Sequence, residues 1–329
     1  MNKQGRLFTW LLILIPSLLI AQQKDTLIKK LDSLSNKTDS VGGKQKNNLN
    51  AEAYNENTKI TVHTYFILVA DDIKQQLTSP FRATSSDWLK VGGFGLITTG
   101  CVLFADRPVN RLAMDIRNKS SASVSVSTYV TNFGGLYEGY TLAAFAAYGY
   151  IFKKEKTKTT TFLATQAYIS AAIIETGLKY LTGRQRPSYY DPLTGKNSPT
   201  WHGPLFQFKK DKNGFKPDNT SYSSFPSGHT TVAFAAATVF AMEYKNSTFA
   251  PIVAYSAASL IGLSRLMQNA HWASDVLVGA VLGYLCGRQV VNNYHRYSKI
   301  QSAKKKNTIS FTLNYFNGSL LPGFVYKFR

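Results

Sequence analysis

Polar and apolar positions divide this chain into stretches of different character. An uncharged apolar run extends from Leu7 to Ala21 behind two basic residues, Lys3 and Arg6. Residues 22 to about 58 are rich in Lys, Asn, Ser, Thr and Asp with few large apolar side chains, the composition of a flexible linker. Residues 60–87 are mixed, and a short apolar patch from Tyr65 to Ala70 allows a weak helix. From Trp88 the character changes. Six apolar segments follow, at 88–105, 136–152, 162–180, 230–243, 249–264 and 275–287, with helical rather than alternating periodicity. Gly279, Gly283 and Gly287 recur every four residues and give one face where another helix can come close. Several segments are shorter than the ~20 residues a bilayer span needs, and Lys90, Glu138 and Glu175 interrupt three of them. Any one segment also suits a buried core helix. Six in this order predict an all-α bundle of six helices, embedded in or associated with a membrane.

The intervals carry their own signals. The polar connection 181–229 is long enough to expect function in it. After Lys304, Lys305 and Lys306, the alternation Ile309 to Tyr315, then Asn317-Gly318, then Gly323 to Phe328 predicts a C-terminal β-hairpin. The expected organisation is a signal segment over 1–21, a polar N-terminal linker region over 22–87, a helical domain over 88–300 and a basic hairpin tail over 301–329.

Charge narrows the partner. The 38 Lys+Arg outnumber the 18 Asp+Glu to give +20, which calls for an anionic partner: nucleic acid, a membrane surface or a phosphorylated substrate. The basic, apolar N-terminus has the secretory pattern. Leu19 is large for the position three before the cleavage point after Ala21, so an uncleaved anchor is the alternative. Either removes the chain from the cytoplasm and argues against nucleic acid. Cys101 and Cys286 fall in separate apolar segments and read as buried thiols rather than a disulfide. The mean hydropathy of −0.15 is low for a protein made mostly of spans, so the number of crossings stays open.

Candidate chemistry sits at three helix ends. Lys179 closes the third segment, and Arg186-Pro187 follows after six residues. Pro187 disfavours helix at Arg186, and the pair can clamp a phosphoryl group, or simply mark a membrane border. Phe225-Pro226-Ser227-Gly228-His229-Thr230 precedes the fourth segment. Its free amides face an anion, Gly228 lets the anion come close, the Ser227 hydroxyl can donate, and His229 can protonate a leaving oxygen. An ordinary N-cap with an incidental His reads equally well. Ser264-Arg265 is followed after five residues by His271 and after three more by Asp275. His271 and Asp275 share a helical face, so the carboxylate is expected on one ring nitrogen, leaving the other basic; a capping pair is the plain alternative. Eleven specified positions in order, at roughly one chance in twenty each, rule out accident.

Together these positions resemble the type 2 phosphatidic acid phosphatase superfamily, which also holds bacterial nonspecific acid phosphatases and vanadium haloperoxidases. The resemblance covers about 88–290 and includes every motif position. It implies that His271 is the nucleophile forming a phosphohistidine, that Asp275 orients it, and that His229 is the general acid. It implies that Lys179, Arg186 and Arg265 bind phosphoryl oxygens with Ser227 and the Gly228 amide. It implies hydrolysis without a metal or other cofactor. With an apolar bundle to hold lipid tails, the expected substrate is a lipid phosphate: phosphatidate, phosphatidylglycerophosphate, undecaprenyl pyrophosphate or a lipid A phosphate. The rivals are a broad-specificity periplasmic acid phosphatase, a vanadium haloperoxidase, and a phospholipid-binding protein that kept the fold. His202 is read as a loop residue with substrate contact as the alternative, and Arg184, Lys209 and Lys210 as solvated loop residues with contact to an anionic head group as the alternative.

Topology carries a conflict. Lys/Arg-rich loops mark the cytoplasmic side, which puts Lys153 to Lys158 and the stretch 288–306 inside and the three clusters outside, facing the periplasm of a Gram-negative-type envelope. A cleaved signal leaves 22–87 outside too, and strict counting of six spans then reverses the site. The conflict lifts if one segment does not cross, if 59–87 re-enters the membrane, or if the bundle is peripheral.

Overall fold

The computed structural model describes residues 60, 62–189, 199–209, 220–306, 308–316 and 319–327. The expected signal segment over 1–21 and the linker up to residue 58 lie outside them. The described residues hold α1 (Val62–Thr78), α2 (Ser85–Gly100), α3 (Asp106–Lys119), α4 (Ser121–Asn132), α5 (Leu136–Ile151), α6 (Glu155–Thr182), α7 (Gly228–Glu243), α8 (Phe249–Met267) and α9 (Ala273–Lys306). Each of the six apolar segments falls on helix, and the described residues are mostly helical. Strands β1 (Thr308–Phe316) and β2 (Ser319–Lys327) pair antiparallel, Thr308 opposite Lys327 and Phe316 opposite Ser319.

Local chemistry sets several boundaries. A capping box starts α2: Asp87 N–H donates to Thr84 Oγ1 at 3.3 Å, and Thr84 N–H donates to the Asp87 carboxylate at 3.0 Å. The Ser120 hydroxyl accepts from Ser123 N–H at 3.2 Å and starts α4. A π-helical turn, Cys101–Ala105, joins α2 to α3 without a break, giving one rod over Ser85–Lys119. Gly183 ends α6 in the left-handed conformation, φ +56°.

Helix α7 is the axis of the bundle. Residues 230–239 are all buried, and their side chains are mostly Ala, Val and Thr, so α6, α8 and α9 close on it from several sides. The glycine face of α9 makes the tightest approach. A Cβ at Gly283 would stand 2.2 Å from the Thr231 carbonyl oxygen, and one at Gly287 would stand 2.4 Å from that of Ala235. No side chain fits there, which is why the four-residue glycine repeat meets α7.

Region 22–87 is not linker throughout. Helix α1 packs on α6 and α9 through polar contacts: Asn293 Nδ2 donates to buried Asp72 at 2.6 Å, and the Tyr65 hydroxyl meets Thr165 at 2.9 Å. The partners of these polar residues lie 221 and 100 positions along the chain.

Among the described residues, three helices are long and apolar enough to cross a membrane: Ser85–Lys119, Phe249–Met267 and Ala273–Ser298. The apolar window of the first has none of its residues buried. Leu89 and Phe104 are each 78% exposed, and Phe249 is 74% exposed. Lipid, not water, suits so continuous an apolar exterior. Cys101 and Cys286 are free thiols, Cys286 buried.

Candidate active site

The three sequence clusters meet at the N-terminus of α7. Backbone hydrogen bonds tie them together. Arg186 N–H donates to Ser221 O at 2.9 Å, Ser224 N–H to Arg184 O at 3.0 Å, and Ser227 N–H to Asp275 O at 3.1 Å. The Trp272 indole N–H donates to Gln185 O at 2.8 Å. The cluster after α6, the one before α7 and the one before α9 are thereby fixed to one another through main-chain groups and one indole.

His271 is buried, and its Nδ1 lies 2.7 Å from the Ser224 carbonyl oxygen. A carbonyl only accepts, so Nδ1 carries the proton and Nε2 keeps its lone pair. The expected His271–Asp275 hydrogen bond is not formed: Nδ1 stands 3.7 Å from the carboxylate. Asp275 is occupied elsewhere, by Ser224 Oγ at 2.6 Å, by Trp272 N–H at 2.9 Å and by the Arg184 guanidinium. It acts on His271 through Ser224, whose hydroxyl it holds and whose carbonyl holds the ring.

His229 is the second residue of α7. The turn before α5 covers it: a Cβ on Gly135 would lie 3.4 Å from His229 Nε2, and one on Gly134 would lie 3.0 Å from His229 Cβ. Burial, then the charges of Arg265, Lys179 and Arg186, push the His229 pKa down to about 3. Burial and the same three cations, Arg186 first, hold His271 well below the usual histidine range, and the Ser224 carbonyl only partly opposes them. Two neutral imidazoles thus share the same three cations, an electrostatic setting that favours an anion.

The remaining expected residues have partners of their own. Lys179 Nζ lies 2.8 Å from the Glu175 carboxylate. Arg265 is buried and donates through Nη1 to Gln268 at 2.5 Å. Ser227 is fully buried, and its hydroxyl meets Thr230 Oγ1 at 2.8 Å. Gly228 is buried against Glu175 and Lys179. Among the described residues, no group of three or more His, Cys, Asp or Glu is placed to hold a metal ion.

Residues 159–299, which carry all three clusters, match the model of the PAP2 superfamily. That stretch, less than half of the chain, is a PAP2-type region. A stretch of 73 residues is 51% identical to the lipid A 1-phosphatase of Porphyromonas gingivalis, covering 22% of this chain and 16% of that protein. Over 157 residues the chain is 29% identical to lipid phosphate phosphatase 1 of Arabidopsis thaliana, covering 39% of this chain and 44% of that one. Among solved structures it is similar to Aquifex aeolicus LpxE, with 24% identity, 57% of this chain and 94% of that chain covered, and a TM-score of 0.40. The chain spans less than half the length of these two curated relatives.

Sequence reading missed two parts of this PAP2 site. Arg184 is not a solvated loop residue but fully buried. Its guanidinium bridges the Asp106 and Asp275 carboxylates, donates to Ser274 Oγ at 2.7 Å, and stacks 4.5 Å from the Trp201 ring centre. Asp106 also accepts from Ser274 N–H at 2.8 Å, although it follows the π-turn of the first rod, outside the PAP2 match. The only hint was a second arginine two residues before Arg186. His202 stacks on Phe206 at 4.3 Å and meets Thr200 Oγ1 at 3.0 Å, a loop-packing role.

Proposed function

We propose that this PAP2 chain is a phosphoric ester hydrolase that removes phosphate from a lipid phosphate monoester or pyrophosphate, without a metal. The observation that carries the proposal is the His271 Nδ1–Ser224 carbonyl hydrogen bond. It leaves Nε2 unprotonated among Lys179, Arg186 and Arg265. In the first step Nε2 attacks phosphorus, the P–O ester bond breaks, and His229 gives its proton to the leaving oxygen. In the second, water attacks the phosphohistidine, His229 takes a proton from it, and phosphate leaves as the N–P bond breaks. The three cations, the Gly228 amide and the Ser227 hydroxyl would neutralise charge spread over the equatorial oxygens. Asp275 would position the nucleophile through Ser224.

The relatives named support a lipid substrate, as does the apolar exterior. Phosphatidate, phosphatidylglycerophosphate, undecaprenyl pyrophosphate and lipid A phosphates are the candidates. We place the six-segment domain, 88–300, in the membrane behind a signal at 1–21, with the hairpin tail outside the catalytic unit and the site facing the periplasm.

Phosphate release by purified protein from a panel of lipid and soluble phosphates tests the reading. His271→Ala should abolish release, and His229→Ala should lower kcat by about 10²–10⁴-fold. Orthovanadate should inhibit and EDTA should not. Full activity in His271→Ala would refute the mechanism. Equal rates on soluble and lipid esters would favour a broad-specificity acid phosphatase, and halide oxidation with vanadate would favour a haloperoxidase.

A further inference from the structure

Glu175 is a carboxylate where an anion site should have none. It lies on α6 one turn before Lys179, is 8% exposed, and holds the Lys179 ammonium at 2.8 Å through Oε2. Both groups press on the first residue of α7. A Cβ on Gly228 would stand 2.8 Å from Glu175 Oε1 and 2.9 Å from Lys179 Nζ. The space that a glycine leaves open at this helix N-terminus is therefore already filled by one carboxylate oxygen and one ammonium. The carboxylate is thinly supported. Among the described residues Oε2 meets no donor besides the ammonium, and Oε1 accepts only from the Thr176 hydroxyl at 3.3 Å. A buried carboxylate with so few donors is held chiefly by charge, and a better anion can displace it.

We propose that Glu175 is an internal competitor for the phosphoryl site. In the empty protein its carboxylate takes the Lys179 ammonium and the mouth of α7; an entering phosphoryl group must draw Lys179 away from it. Glu175 then sets how tightly the site holds an anion. It weakens small or product-like anions such as inorganic phosphate and leaves a substrate anchored by its lipid portion less affected. This rests on the phosphatase reading above, and it makes Glu175 a specificity-determining residue that acts through Lys179. A carboxylate present only to aim the lysine would have the opposite effect when lost, because the lysine would then be less well placed.

The test is orthovanadate inhibition of the full-length protein in detergent, with kcat and KM on a lipid phosphate monoester. Glu175→Gln keeps the shape and removes the charge. It should lower the inhibition constants for orthovanadate and inorganic phosphate about tenfold, while KM falls less and kcat changes less than about threefold. Unchanged or weaker inhibition in folded Glu175→Gln overturns the proposal. If that variant does not fold, Glu175→Asp takes its place. It draws the charge back from Gly228 by one methylene and should tighten vanadate in the same direction; an unchanged constant overturns the proposal. Wild-type protein that neither releases phosphate nor binds vanadate refutes the phosphatase reading instead, which separates the two failures.

Discussion

Burial and three neighbouring cations keep both imidazoles of the site neutral in the empty protein. A phosphoryl group brings negative charge that offsets those cations, so in the proposed mechanism the proton that His229 donates is taken up with the substrate. The same shift makes stability depend on pH. An unfolded histidine titrates near 6.5, and folded His229 titrates at about 3. Between those values the unfolded chain binds more protons, so stability is full above about pH 6.5 and is lost as pH falls toward 3. At about pH 5 His229 alone costs about 2 kcal/mol relative to neutral pH. The thermal unfolding midpoint should therefore drop on acidification from about pH 7.5 to 5, and His229→Asn should remove part of that drop. Identical pH dependence in both proteins would contradict the burial argument. Arg184 gives a second expectation at this scale. Truncation to Ala leaves Asp106 and Asp275 buried without their cation and should cost about 3–5 kcal/mol of stability, read as a lower unfolding midpoint together with lost activity.

At the scale of elements, the α7–α9 contact is the least forgiving. Gly283→Leu would place a side chain where the Thr231 carbonyl oxygen already stands at 2.2 Å from the Cβ position. The helices must separate, at about 1–3 kcal/mol or more, and the expected result is a large fall in folded yield by gel filtration in detergent. That contact was legible in the sequence, because a glycine every four residues is a local pattern. So were the apolar segments and the eleven motif positions, since Pro, Gly, His and Arg at fixed spacings carry their chemistry with them. The rest was not legible, for physical reasons. Helix α4 is a run of Ser, Thr and Val that has no strong apolar stripe. Asp106 meets Arg184 across 78 positions, and nothing in a single sequence links residues so far apart. The acceptor that orients His271 is a main-chain carbonyl, which every residue has, so the nearby Asp275 looked like the partner.

At the scale of the whole molecule, the prediction concerns orientation. The expected arrangement has reporter fusions after residues 155 and 300 active on the cytoplasmic side and fusions in the loops flanking residues 186 and 229 active outside. A cytoplasmic signal from the latter would reverse the site. The Arg184 bridge adds a consequence for how such a protein is assembled. One of its carboxylates comes from the first long apolar rod and the other from the last helix. A nascent chain that has inserted only its early helices holds a buried arginine with half its neutralising charge, and one that has lost the first rod holds the other half. The bridge is complete only when Asp106 and Asp275 have both packed on Arg184, so in the proposed reading the site depends on completion of the bundle. Partly inserted chains should be inactive and easily degraded, not weakly active.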